Sequence, residues 1–169
     1  MSSLKSSIAG PELAQAVTAA VIEVAEHSFS MFTESCTARR FDELLSRSAT
    51  SGAEWMRATL AFKGPFAGEL TVDVPEPLAL ELLASCVGIS SPGEENLPSV
   101  EDAVGELANM VCGTWLTKNH GSQKFDLKPP RVDRVDANNL RHLWASTAAS
   151  ALLMGLNDQP VRVHMAVNA

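Results

Sequence analysis

The chain has 169 residues, 46% of them hydrophobic, and a formal net charge of −7. That is enough apolar material for one ordinary core, which predicts a single domain over residues 10–169 behind a serine-rich, disordered tail over 1–9. The acidic balance, with no Lys/Arg cluster interleaved with aromatics, excludes a nucleic acid partner. No run reaches the ~18 apolar residues of a membrane span or forms the core of a signal peptide, so a cytoplasmic protein without a membrane partner is expected.

Pro11 introduces a long helix in which Leu13, Val17, Ala20, Val21, Val24, Phe29 and Phe32 recur at helical spacing. Residues 33–52 are mixed, with a short helical turn predicted around Phe41 to Leu45 before a loop. From Glu54 the period changes. W-M-R-A-T-L-A-F and A-G-E-L-T-V-D-V alternate on either side of Lys63-Gly64-Pro65 and read as an antiparallel hairpin.

Pro75 stops the second strand. The following helix points Leu78, Leu82, Leu83, Cys86 and Val87 inward and ends at Gly88, and a Pro/Gly/Ser loop leads on to Pro98. Beyond a second central helix, F-D-L-K-P-P-R-V-D-R-V is a strand interrupted by Pro129 and Pro130, which confines it to an edge or an irregular turn and sets Arg131 and Arg134 near the front of the domain. A-S-A-L-L-M-G-L and V-R-V-H-M-A-V, joined by N-D-Q-P, form a second hairpin. In it Val161, Val163, Met165 and Val167 alternate with Arg162 and His164, and the last strand is expected at an exposed edge. The fold class is therefore α/β (α+β): a mainly antiparallel sheet of two hairpins plus one further strand, covered by the N-terminal helix and the two central helices.

Cys36, Cys86 and Cys112 are far apart and odd in number, as small buried hydrophobes in a reduced compartment would be. With no C-x-x-C or H-x-x-x-H pair, and with His27, His120, His142 and His164 dispersed, no metal site is expected. His142 beside Trp144 reads as structural or exposed.

The second central helix carries most of the information. In S-V-E-D-A-V-G-E-L-A-N-M-V-C-G, Ser99 and Asp102 have capping-box spacing, so a helix begins here and runs to about Asn119. At about 100° per residue, Val100, Val104, Leu107, Ala108, Val111 and Trp115 share the buried side. Opposite them Asp102, Glu106, Asn109 and Gly113 form one narrow stripe at i, i+4, i+7 and i+11. A solvated helix face gives a polar stripe too, but it needs neither Asn109 nor the helix-weakening Gly105 and Gly113, which suit a face that another molecule approaches closely.

The segment D-A-V-G-E-L-A-N-M-V-C-G resembles the phosphatase signature of the CheC/CheX/FliY chemotaxis family, D/S-x-x-x-E-x-x-N with a proline downstream. Asp102, Glu106 and Asn109 match without a gap, and Pro130 stands slightly earlier than the pattern's proline. Glu23, Glu26 and His27 do not repeat E-x-x-N, so a single copy is present, closer to CheX than to CheC. The hairpin and the helix before the signature are also similar to CheX-type domains.

The resemblance implies a phosphatase that hydrolyses the aspartyl phosphate of a CheY-like response regulator. Asn109 would align the attacking water and Glu106 would pair with the receiver's lysine. Asp102, Gly113 and Pro130 would contact the partner. Mg²⁺ would be bound by the receiver and no cofactor by this chain, and the resemblance also implies a homodimer. A non-catalytic receiver-docking or flagellar-switch module of the same fold is the alternative.

Overall fold

The computed structural model of the chain describes residues 10–50, 52, 54–87, 98–147 and 151–168. The expected tail over 1–9, the stop at Gly88 and the loop over 88–97 lie outside the described residues.

Helix α1 (Pro11–Ser28) starts on Pro11, whose missing N–H would be unpaired in a first turn anyway, and buries Val17, Ala20, Val21, Val24 and Ala25. Two features of the mixed stretch after it differ from expectation. Thr33–Ser35 forms a strand, β1, and the predicted short turn is a full helix, α2 (Ala38–Thr50). Its large apolar residues Phe41, Leu44 and Leu45 are confined to a single turn at i, i+3 and i+4 within a polar stretch, so the sequence pattern understates its length, and burial of these three holds it down.

β2 (Trp55–Lys63) and β3 (Ala67–Pro75) make the first hairpin, followed by α3 (Glu76–Val87) and α4 (Val100–His120). The outer strand is split into β4 (Asp126–Leu127) and β5 (Arg131–Val135), and both pair with β2. Between the two pairings the outer segment carries Lys128, Pro129 and Pro130 against only Leu60 and Ala61 on β2. That extra residue makes a bulge, and the prolines, which cannot donate to the ladder, sit inside it.

Helix α5 (Ala137–Thr147) follows. Sequence reading passed over it, although Ala137, Leu140 and Trp144 recur at i, i+3 and i+7 and Asp136 caps it through the Asn139 N–H at 2.9 Å. β6 (Ala151–Leu156) and β7 (Gln159–Asn168) form the second hairpin through Asn157 and Asp158, both at positive φ.

Among the described residues the sheet is seven-stranded and antiparallel, in the order β1-β6-β7-β3-β2, with β4 and β5 sharing the outer edge of β2. The last strand is therefore not an edge, because β7 lies between β6 and β3. β1 and the β4/β5 segment are the edges.

One sheet face presents Met56, Ala58, Leu60, Leu70, Val72 and Val163 to α1, α3 and α4, in the main core. The opposite face was expected to meet solvent but is covered at one end by α2 and α5, around Phe41, Leu45, Trp55 and Leu140. This second layer explains why Arg162 is only 3% exposed. It lies on the same face as Asp73, directly across the β3–β7 ladder from it. Of the cysteines, Cys112 is buried, whereas Cys36 and Cys86 are only half-buried, at the margins of packed helices rather than inside the core.

Candidate functional site

Helix α4 begins on the capping box that the sequence predicts. The Ser99 hydroxyl accepts from the Asp102 N–H at 3.1 Å, and the Asp102 carboxylate accepts from the Ser99 N–H at 2.9 Å. Ala103, Val104, Leu107, Ala108, Val111, Cys112 and Trp115 are buried against the sheet and neighbouring helices. With that face fixed, Asp102 and Glu106 turn outward and are exposed, and Asn109 and Gly113 are partly exposed.

The outward stripe borders a cleft of about 470 Å³. Its helical wall is Glu101, Asp102, Gly105, Glu106 and Asn109, and its opposite wall is Pro129, Pro130 and Val132 from the bulge and β5. Gly105 sets how closely the two walls approach. A Cβ there would come within 3.1 Å of the Pro130 ring, so only glycine lets the proline lie against the helix without displacement.

Four of the five residues singled out from sequence, Asp102, Glu106, Asn109 and Pro130, thus border one cleft. Gly113 lies one turn beyond and borders the next depression.

The engagement of these side chains differs. Asp102 is occupied in the cap. Glu101, which sequence reading passed over, accepts from Arg134 Nε at 2.8 Å, and Arg134 also binds Glu54 at 3.0 Å. The Glu101 carboxyl is held below its usual range by its own backbone N–H and then by the Arg134 guanidinium. Nothing in the chain's order signalled this pairing, since Arg134 arrives from β5. Glu106 and Asn109, by contrast, form no hydrogen bond or ion pair with another described residue. The Glu106 carboxylate does reach electrostatically to α3. Burial pushes the Cys86 thiol up, and the Glu106 charge pushes it further.

A carboxylate and a carboxamide one turn apart, solvent-accessible and unengaged, can accept from a partner's cation and orient a water, respectively. Among the described residues no group of three or more His, Cys, Asp or Glu could hold a metal ion, and no helix is long and apolar enough to cross a membrane. A further cavity of about 320 Å³ between the start of α1 and β6–β7 is lined by apolar residues such as Leu13, Val17 and Met165, and no titratable side chain borders it.

The family model for the chemotaxis phosphatase CheX matches residues 56–152, which include the first hairpin, α3, α4 and the split outer strand. No curated protein matches the chain significantly in sequence. Similar solved structures include the chemotaxis protein CheX from Vibrio vulnificus, with 17% identity and a TM-score of 0.61 over 94% of this chain and 97% of that one. A CheX from Desulfovibrio desulfuricans shows 15% identity and a TM-score of 0.58, covering 94% of this chain and 100% of that one. A CheC-like superfamily protein from a Shewanella species shows 15% identity and a TM-score of 0.57, covering 95% and 100%. At these identities the structural likeness speaks for the fold.

Proposed function

Since the chain belongs to the family of the chemotaxis phosphatase CheX, we propose that Glu106 and Asn109 carry its phosphatase activity by entering the active site of a phosphorylated CheY-like receiver. An aspartyl phosphate is already an activated acyl phosphate. What a second protein has to supply is an aligned nucleophile, since the receiver carries its own charge-neutralising groups. The Asn109 carboxamide oxygen holds a water in line with the phosphorus, accepting a hydrogen bond from one of its O–H groups and leaving a lone pair directed at the phosphoryl group; both protons stay with the phosphate that forms. Water then bonds to phosphorus as the bond to the aspartyl oxygen breaks. The receiver's carboxylate leaves with that electron pair, and inorganic phosphate departs.

Glu106, one turn earlier, forms an ion pair with the receiver's active-site lysine and fixes the register of the two proteins. Asp102 keeps the helix start rigid from within the cap, Pro130 forms the facing wall, and Gly113 leaves room for the partner's backbone. Mg²⁺ sits among the receiver's own carboxylates. The reaction takes place in the cytoplasm, where such receivers work, and the protein associates as a homodimer.

The observation that carries this reading is that Glu106 and Asn109 border one open cleft with no partner among the described residues, whereas the neighbouring acids Glu101 and Asp102 are both engaged. Decay of a ³²P-labelled receiver in Mg²⁺ tests it. The wild-type chain shortens the phosphoryl lifetime, and Asn109→Ala removes about a hundredfold of that acceleration, as loss of an oriented reactant does. Equal decay with wild type and Asn109→Ala would favour the non-catalytic docking module instead.

A further inference from the structure

The cleft that holds Glu106 and Asn109 does not close off at Asn109. One turn along α4 is Gly113, where an added Cβ would meet, beyond the helix's own backbone, no atom of a described residue within 4 Å. Its backbone is ordinary helix, so neither crowding nor conformation calls for glycine there. Gly105 is different, because Pro130 accounts for it. Glycine in a helix interior costs up to about 1 kcal/mol relative to alanine, and at position 113 no close approach by a described residue offsets that cost.

Gly113 borders a second cleft, of about 420 Å³. Its helical wall descends through Leu116, Thr117 and His120, and its far wall is Lys124, Phe125 and Leu127. The two clefts therefore share their walls: α4 on one side, and the segment from Lys124 through the Pro129–Pro130 bulge on the other.

Resting on the phosphatase reading above, we propose that this lower cleft is a second contact for the same receiver, taking an apolar side chain beside a carboxylate from a receiver segment remote from the phosphoryl group. A helix turn rises only 5.4 Å, and a stable interface covers roughly 800 Å² per partner. A globular receiver that brings its aspartyl phosphate to Asn109 thus lies across Gly113 and onto the next turns of α4. Half-buried Phe125 and Leu127 supply the apolar seat, with buried Leu116 behind them. Lys124 is exposed at the mouth and forms no ion pair with a described residue, whereas Lys118, on α4, is already paired with Glu23. Asp126 shares the mouth, so the positive charge is local, which suits one carboxylate and disfavours a polyanion.

The test is calorimetric titration of the full chain with CheY-type receivers of the same genome, loaded with Mg²⁺ and beryllofluoride, with phosphoryl decay measured in parallel. Lys124→Glu and Thr117→Arg each raise Kd about tenfold, equivalent to ~1.4 kcal/mol. The decay rate at saturating chain stays within about twofold, and the Lys124 effect shrinks in high salt. Asn109→Ala shows the reverse, with near-normal Kd and lost decay. Equal Kd for wild type and both variants, with Asn109-dependent hydrolysis intact, overturns the second contact alone. A wild-type chain that neither binds nor dephosphorylates any such receiver overturns it together with the phosphatase reading. Lys124 is exposed, so its variant decides should Thr117→Arg lower the melting temperature.

Discussion

Asp73 on β3 and Glu106 on α4 are both carboxylates set into elements that otherwise read as apolar, yet their surroundings are opposite. Asp73 is 0% exposed and fully engaged. Arg57, directly across the β2–β3 ladder, donates to both of its oxygens at 2.7 and 2.9 Å. The Trp144 indole N–H donates at 2.8 Å, and Arg162 approaches from β7 at 3.7 Å with its guanidinium 5.5 Å from the Trp144 ring. This network ties α5 to the far face of the sheet. Glu106 is exposed and pairs with nothing described, beside an asparagine equally unengaged and on a helix weakened by two glycines. The difference separates polar residues that hold the fold from polar residues that the fold leaves accessible and unengaged among the described residues. A buried charge persists only when satisfied within the chain, whereas an accessible pair needs no partner inside it, which leaves Glu106 and Asn109 available to the receiver proposed above.

Substitutions at the two places should behave accordingly. Asp73→Ala leaves two guanidinium groups, one of them 3% exposed, without their shared counter-charge, and should cost about 3–5 kcal/mol of folding stability by denaturant titration. Glu106→Ala should leave unfolding within about 0.5 kcal/mol of wild type, as expected of an exposed site. It should instead raise KM for the phosphorylated receiver about tenfold, consistent with the ~1.4 kcal/mol of one lost intermolecular ion pair.

Gly113→Ala makes the contrast sharper because its two effects have opposite signs. It should stabilise the isolated chain by up to about 1 kcal/mol while weakening receiver binding, and a variant stabilised without loss of binding would remove Gly113 from the contact.

The smallest effect belongs to Arg134→Gln. The Glu101 carboxyl is held below its unfolded value, so it adds stability above a pH of about 4.3 that is lost as pH falls through its folded value. Removing Arg134 should flatten that acid-side loss in a stability-versus-pH profile and leave hydrolysis at neutral pH unchanged.

Much of this was legible in order along the chain. The capping box at Ser99 and Asp102, the α4 stripe and both hairpins follow from local rules: an orphan N–H needs an acceptor, and a helix or strand repeats its faces at a fixed period. Other features were not. Arg162 looked like the solvent side of an alternating strand, and it is buried because α2 and α5, whose apolar residues are sparse, return to cover that face. The last strand looked like an edge because it comes last in order, yet β3 from far upstream pairs along its free side and leaves β7 in the interior. Glu101 looked like one more acid in a first turn until β5 brought Arg134 to it.

The sequence by itself determined which residues of α4 turn outward, because helical period and the apolar face leave Glu106 and Asn109 no other direction. Only the tertiary structure decided that they face a cleft rather than open solvent. That depends on the extra residue in the outer strand, which sets Pro130 against Gly105, and contacts between segments so far apart in the chain leave no periodic trace in the order of residues.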